Sequence, residues 1–135
     1  MKAHIARTPR VILAWAVLPG SPEHTALADA ASALNAQLRL AEPQDLGRTI
    51  AQLCGLPQGR AAAAPAGPGC KETAAVFCGL TDAQLDQALA ALRGVNIPLK
   101  AVVTGHNRDW TLGALLVELG RERDAIAAGQ AAHQG

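Results

Sequence analysis

Tyrosine is absent, and Trp15, Phe77 and Trp110 are the only aromatic residues among 135. Three rings are too few for a platform on which bases stack. Charge is sparse as well: Asp, Glu, Lys and Arg make up 17% of the chain and leave a formal net charge of +1. Phosphate neutralisation needs clustered Lys and Arg, so no nucleic-acid partner is expected. No apolar stretch approaches the roughly twenty residues that cross a bilayer, so no membrane partner is expected either. Cys54, Cys70 and Cys78 are odd in number and lack a Cys-x-x-Cys spacing. This composition points to buried free thiols in a reducing, cytoplasmic compartment rather than to a disulfide framework. His4, His24, His106 and His133 are scattered, with no two spaced as ligands on one helix face, so no metal is expected. A phosphate-binding Gly-x-x-x-x-Gly-Lys loop, a Gly-x-Gly-x-x-Gly turn and a Gly-x-Ser-x-Gly elbow are all missing. No cofactor and no catalytic residue is therefore assigned.

What the chain has is apolar bulk. Half of its residues are hydrophobic, and a domain of this length buries roughly two thirds of the surface its unfolded form exposes. One domain over 1–135 is expected. The run from Val11 to Val17 follows Lys2, Arg7 and Arg10 and precedes Ala26-Leu27-Ala28, which together mimic a secretory leader. Pro19, Pro22, Glu23 and His24 interrupt that pattern, and the run is short and β-prone. A strand covered on both faces is the better assignment.

A β-α-β-α order emerges twice. In residues 10–56 the first strand is followed by Ser21-Pro22, a cap and first helical residue, and by Leu27, Ala30, Ala31 and Leu34 at helical spacing. Gln37 to Leu40 reads as a strand. A second helix opens at Pro43 to Asp45, carries Leu46, Ile50 and Leu53, and ends near Gly55 and Pro57. Residues 57–73, with four alanines and Pro65-Ala-Gly-Pro-Gly69, form a flexible connector. In residues 74–128 the order recurs: strand Ala74 to Cys78, helix with Leu85, Ala88, Leu89 and Leu92, strand Leu99 to Val103, and a last helix with Leu112, Leu115, Leu116, Leu119 and Ile126 inward. Residues 129–135 read as a frayed tail. Leu27-x-x-Ala30-x-x-x-Leu34 overlays Leu85-x-x-Ala88-x-x-x-Leu92, and Leu46-Gly47-x-x-Ile50-x-x-Leu53 overlays Leu112-Gly113-x-x-Leu116-x-x-Leu119. These overlays suggest an internal repeat. The expected fold is α/β, a mainly parallel four-stranded sheet covered by helices, with a ferredoxin-like α+β arrangement as the alternative.

One stretch has chemical character: Lys100-Ala-Val-Val-Thr104-Gly-His106-Asn107-Arg-Asp109-Trp110-Thr111. It lies at the carboxyl end of a strand and before a helix, where open α/β sheets bind ligands. Lys100, Thr104, Asn107, Trp110 and, from the preceding strand, Thr81 are the candidate ligand-binding residues. Each has a structural role open to it too. Thr104 and Asn107 can hold a turn, Asp109 or Thr111 can cap the helix, Trp110 can pack beneath the loop, and Lys100 can lay its stem along apolar surface. His106 has no neighbouring nucleophile in sequence, and Cys78 has no basic neighbour.

Phe77-Cys-Gly79-Leu-Thr81-x-x-x-Leu85-Asp86, with Pro98-Leu-Lys100-Ala-Val-Val-Thr104-x-x-Asn107-x-x-Trp110-Thr111, resembles the bacterial family Domain of Unknown Function 3783 over residues 74–123. The resemblance implies a small bacterial protein or domain and carries no activity with it. The expected function is a non-catalytic binding or regulatory domain for a small molecule or a protein, with a homodimer among the options. The alternatives are an enzyme using the loop 104–111 on a small polar substrate, and a structural or protein-interaction subunit.

Overall fold

The computed structural model describes residues 8–56 and 70–134, with side chains through residue 129. Strand β1 (Val11–Trp15) leads through helix α1 (Pro22–Ala33) to β2 (Gln37–Leu40). A 3-10 turn (Pro43–Gly47) and the short helix α2 (Ile50–Leu53) complete the first half. The second half runs β3 (Ala74–Cys78), α3 (Asp82–Ala91), β4 (Leu99–Val102) and α4 (Leu112–Gln134). The connector expected over 57–73 falls, for residues 57–69, outside the described residues.

The four strands form one sheet in the order β2-β1-β3-β4. β1 pairs parallel with β2 and β3 parallel with β4, whereas β1 and β3 meet antiparallel at the centre. The sheet is thus α/β and mainly parallel, as expected. A ferredoxin-like sheet would split each βαβ unit around a strand of the other; here each crossover joins direct neighbours.

Strand residues alternate between two faces. Val11, Leu13, Trp15, Ala74, Val76 and Cys78 pack with α2 and α4, and Ile12, Ala14, Ala75 and Phe77 pack with α1 and α3. Both central strands are buried at every position, which is why they read as continuous apolar runs. Helix α1 starts where the Ser21 hydroxyl accepts the His24 amide at 3.1 Å, with Pro22 in the first turn. It stops because Asn35 takes a left-handed conformation, φ 55°, and Ala36 donates back to Ala31 at 2.8 Å. Leu34 and Leu92 cap α1 and α3 at their carboxyl ends, and Ala30 and Ala88 are buried one turn earlier.

Three expectations are corrected. The second helix does not run from Pro43 to Gly55: it breaks into the 3-10 turn and α2, because Thr49 is extended and recaps the chain with its hydroxyl on the Gln52 amide. Ile126 does not face inward but is exposed, and α4 continues through Gln134 where a frayed tail was expected. Its inward stripe ends at Leu119, and Ile126 borders an open groove beside Pro98, Leu99 and Lys100.

Candidate functional site

The loop after β4 is built by its own polar groups. Asn107 Oδ1 accepts the Thr104 amide at 2.9 Å, and its Nδ2 donates to the Val102 carbonyl at 3.0 Å. Thr104 Oγ1 accepts the amides of His106 and Asn107, both at 3.2 Å. The loop then serves a neighbouring element: the carbonyls of Arg108 and Trp110 accept the amides of Ala51 and Ile50, the first turn of α2, at 2.8 and 2.9 Å. Thr111 Oγ1 accepts the Ala114 amide at 3.1 Å. Thr111, and not Asp109, caps α4.

The same construction stands in the first half, 62 residues earlier. Asp45 Oδ2 accepts the Glu42 amide at 2.8 Å, as Asn107 accepts that of Thr104. Arg48 donates to the Asp45 carbonyl as Trp110 donates to that of Asn107, each at 3.0 Å. Thr49 and Thr111 face each other across an antiparallel bridge, where Ile50 donates to Trp110 and Leu112 donates to Arg48, each at 2.9 Å. The structural overlay thus matches Ile50 with Leu112. The expected overlay of Leu46-Gly47 with Leu112-Gly113 is out of register by four residues, because Leu46 lies in the 3-10 turn before the cap.

Where the halves differ, a cleft opens. The central register sets Val11 against Cys78 and Trp15 against Ala74, so the strand end that Trp15 occupies in the first half is occupied by Cys78 in the second. Likewise Cys54, the residue that ends α2, stands where α4 has Leu116. Two large apolar side chains are exchanged for two small thiols. A cleft of about 420 Å3 lies there, at the carboxyl ends of β3 and β4, lined by Thr8, Leu56, Cys78, Gly79, Val103, Thr104, Gly105 and Arg108. Gly79 takes φ +77°, and a Cβ on it would stand 2.2 Å from the Pro9 carbonyl oxygen. Only glycine fits that floor.

The electrostatics of the cleft centre on sulfur. Cys54 and Cys78 are both buried free thiols of one core layer. Hydrogen bonding from Cys54 holds the Cys78 thiol below the usual range; the Arg108 guanidinium adds to the effect, while burial opposes it. Cys54 is pushed up by the same bond, then by burial and by the charge on Cys78, with Arg39 opposing. The basic neighbour of Cys78, invisible in the sequence, comes from the loop thirty residues on. Cys70 is remote from the pair, beyond the other end of β3, where its carbonyl accepts Trp15 Nε1 at 2.8 Å.

The five sequence-selected residues do not gather in one place. Thr104 lines the cleft. Asn107 sits beside it with both side-chain polar atoms used in the loop. Thr81 caps α3 through the Gln84 amide, and Gln84 Oε1 accepts the Thr81 amide in return. Lys100 Nζ donates to the Ile97 carbonyl at 2.7 Å and borders a separate groove with Leu119 and Glu122. Trp110 lies against the outer face of α4 beside Val117 and Arg121 and receives His106 edge-on at 5.3 Å. Lys100 and His106 border no common cavity among the described residues. Cys54, Cys78, Gly79 and Arg108 were not selected from the sequence; the Cys-Gly dipeptide closing a strand was the one available signal. No cluster of metal-ligating side chains occurs among the described residues, and no described helix is long and apolar enough to cross a membrane.

Residues 73–126 match the family model described as Domain of unknown function (DUF3783), which covers β3 through Ile126 of α4 and includes Cys78, Gly79, Thr104 and Arg108. The comparison with curated proteins and that with solved structures return no match.

Proposed function

We propose that the chain is a non-catalytic binding domain that takes a small anionic molecule in the cleft at the carboxyl ends of β3 and β4. The observation that carries this reading is the lining itself. Two glycines, Gly79 and Gly105, let a ligand approach the backbone, the Thr104 hydroxyl lies at the rim, and among the described residues the Arg108 guanidinium is the only cationic group on the wall. No carboxylate among the described residues lines it. A volume near 420 Å3 is within the range of small-molecule sites. Its concavity favours a small molecule over a protein or a second copy of the chain, and its place at strand ends is the one open α/β sheets use. A cytoplasmic setting agrees with three free cysteines. The correspondence of Asp45 with Asn107 and of Thr49 with Thr111 supports an origin by internal duplication, after which one end of the sheet lost its filling side chains.

The test is a thermal-shift titration with inorganic phosphate and a panel of small mono- and dicarboxylates, on wild type and Arg108→Gln. A ligand at a hundred times its dissociation constant adds about 2.7 kcal/mol, a visible rise in melting temperature. The expected result is a shift that Arg108→Gln removes while its own melting temperature stays close to that of wild type. A shift equal in both proteins, or none for any anion, overturns the reading.

A further inference from the structure

We propose that the ligand of the cleft is a monocarboxylate with a short aliphatic tail, its head on Arg108 and Thr104 and its tail along Leu56 and Val103. The inference rests on the anion-binding reading above and narrows it to one chemical class.

The head group follows from what the polar side chains have left to offer. A guanidinium only donates. Thr104 Oγ1 already accepts the amides of His106 and Asn107, both at 3.2 Å, so its remaining capacity is the hydroxyl proton. Asn107 holds the turn that presents this hydroxyl, through the Thr104 amide at 2.9 Å and the Val102 carbonyl at 3.0 Å. A guanidinium and a hydroxyl proton suit a carboxylate, which accepts through both of its oxygens. Among the described residues Arg108 is the one cation on the wall, so the lining balances a single negative charge. A second charge would lie against apolar side chains and lose its hydration without a partner.

The tail follows from the rest of the lining, which extends the core. Leu56 and Val103 are half-buried, pack on the layer that contains Leu13, Val76 and Leu116, and also line the cleft. At the other end of the sheet the same layer is closed by Trp15, whose indole is buried and donates to the Cys70 carbonyl at 2.8 Å. Cys78 holds the corresponding strand end and is far smaller. The cleft is thus the apolar space that an indole fills in the other half, left open beside a cation. Its volume of about 420 Å3 equals roughly fourteen waters at about 30 Å3 each, which holds a carboxylate and a chain of several carbons. A chain seated there removes its own methylenes and the open faces of Leu56 and Val103 from water. An inorganic anion leaves those faces wet.

The test titrates the full, isotope-labelled chain with sodium acetate, butanoate, hexanoate, succinate and adipate at constant ionic strength, following the backbone amides by NMR. The expected result is a set of shifts at Gly79, Thr104 and Gly105, with affinity climbing by up to about fourfold for each added methylene from acetate to hexanoate. Butanoate binds more tightly than succinate of the same length, and hexanoate more tightly than adipate. Val103→Thr, close to isosteric, lowers the affinity for hexanoate more than that for acetate. If that variant does not fold, the wild-type series decides alone. Equal affinities along the series, tighter binding of the dicarboxylates, or shifts confined to residues outside the cleft overturn the inference. In the first two cases, binding that Arg108→Gln removes leaves the cleft an anion site. Absence of any Arg108-dependent binding overturns the broader reading as well.

Discussion

Thr49 and Thr111 meet backbone to backbone across a single antiparallel bridge, and each hydroxyl caps the helix that begins beside it, on the Gln52 and Ala114 amides at 3.1 Å. This contact is one of the places, beside the β1–β3 seam, where the two halves hold each other. Removing either cap by Thr→Ala costs about 1 kcal/mol, rising towards about 2 kcal/mol when the site is buried. Thr49 is buried and Thr111 is half-exposed, so urea denaturation is expected to show Thr49→Ala as the more damaging change. Because the bridge bonds are made by backbone, the double variant should lose about the sum.

Gly79 and Gly105 both border the cleft but for different reasons. An alanine at 79 combines a left-handed φ with a collision against the Pro9 carbonyl, whereas a Cβ at 105 meets nothing within 4 Å. Gly79→Ala is expected to cost more than about 2 kcal/mol and Gly105→Ala less than about 1 kcal/mol. Thermal melts of the two variants check this. Equal melting temperatures would refute the assignment of Gly79 to the floor by steric need.

Asn107 uses an acceptor and a donor at once, on Thr104 and Val102. Asn107→Ala removes both and is expected to destabilise the half-exposed loop by about 1–2 kcal/mol. Asn107→Asp keeps the acceptor and turns the donor into a second acceptor facing the Val102 carbonyl. Its stability is therefore expected to fall below wild type at neutral pH. Hydrogen exchange at the Thr104 and Ala51 amides, read for both variants, locates the loss.

The thiol pair makes stability depend on pH with a definite sign. Cys78 is held down, so its contribution is complete above the ordinary thiol range of about 8.5 and is lost as pH falls through its folded value. Cys54 is pushed up, so its contribution is complete below about 8.5 and is lost as pH climbs above it. Denaturant unfolding of the reduced protein is expected to show a rise in stability with pH below that point and a decline above it. In Cys54→Ala the rise should shrink, because Cys78 loses its donor. A flat profile in wild type from neutral to alkaline pH would contradict the pairing.

Local pattern was enough for the elements: apolar runs fixed β1 and β3, and Ser21 and Thr111 announced helix starts that the hydroxyls make. It also sufficed for the α/β class and for the two-half order, since alternation and spacing are properties of neighbours along the chain. It failed where the partner is distant. Asn107 holds its turn as Asp45, 62 residues earlier, holds the corresponding one, a likeness that no local pattern reveals. Ile126 fits the helical stripe but lies at an open groove beside Leu99 and Lys100 of β4, so it stays exposed. Strand pairing alone sets Cys78 of β3 at the end of the sheet opposite Trp15, and only the packing of α2 and the loop after β4 brings Cys54 and Arg108 to it. The sequence by itself determined which segments are strands and helices, because those depend on backbone preference and burial pattern. The tertiary structure decided the antiparallel seam, the thiol pair and the cleft, because each depends on side chains that only long-range packing brings into contact.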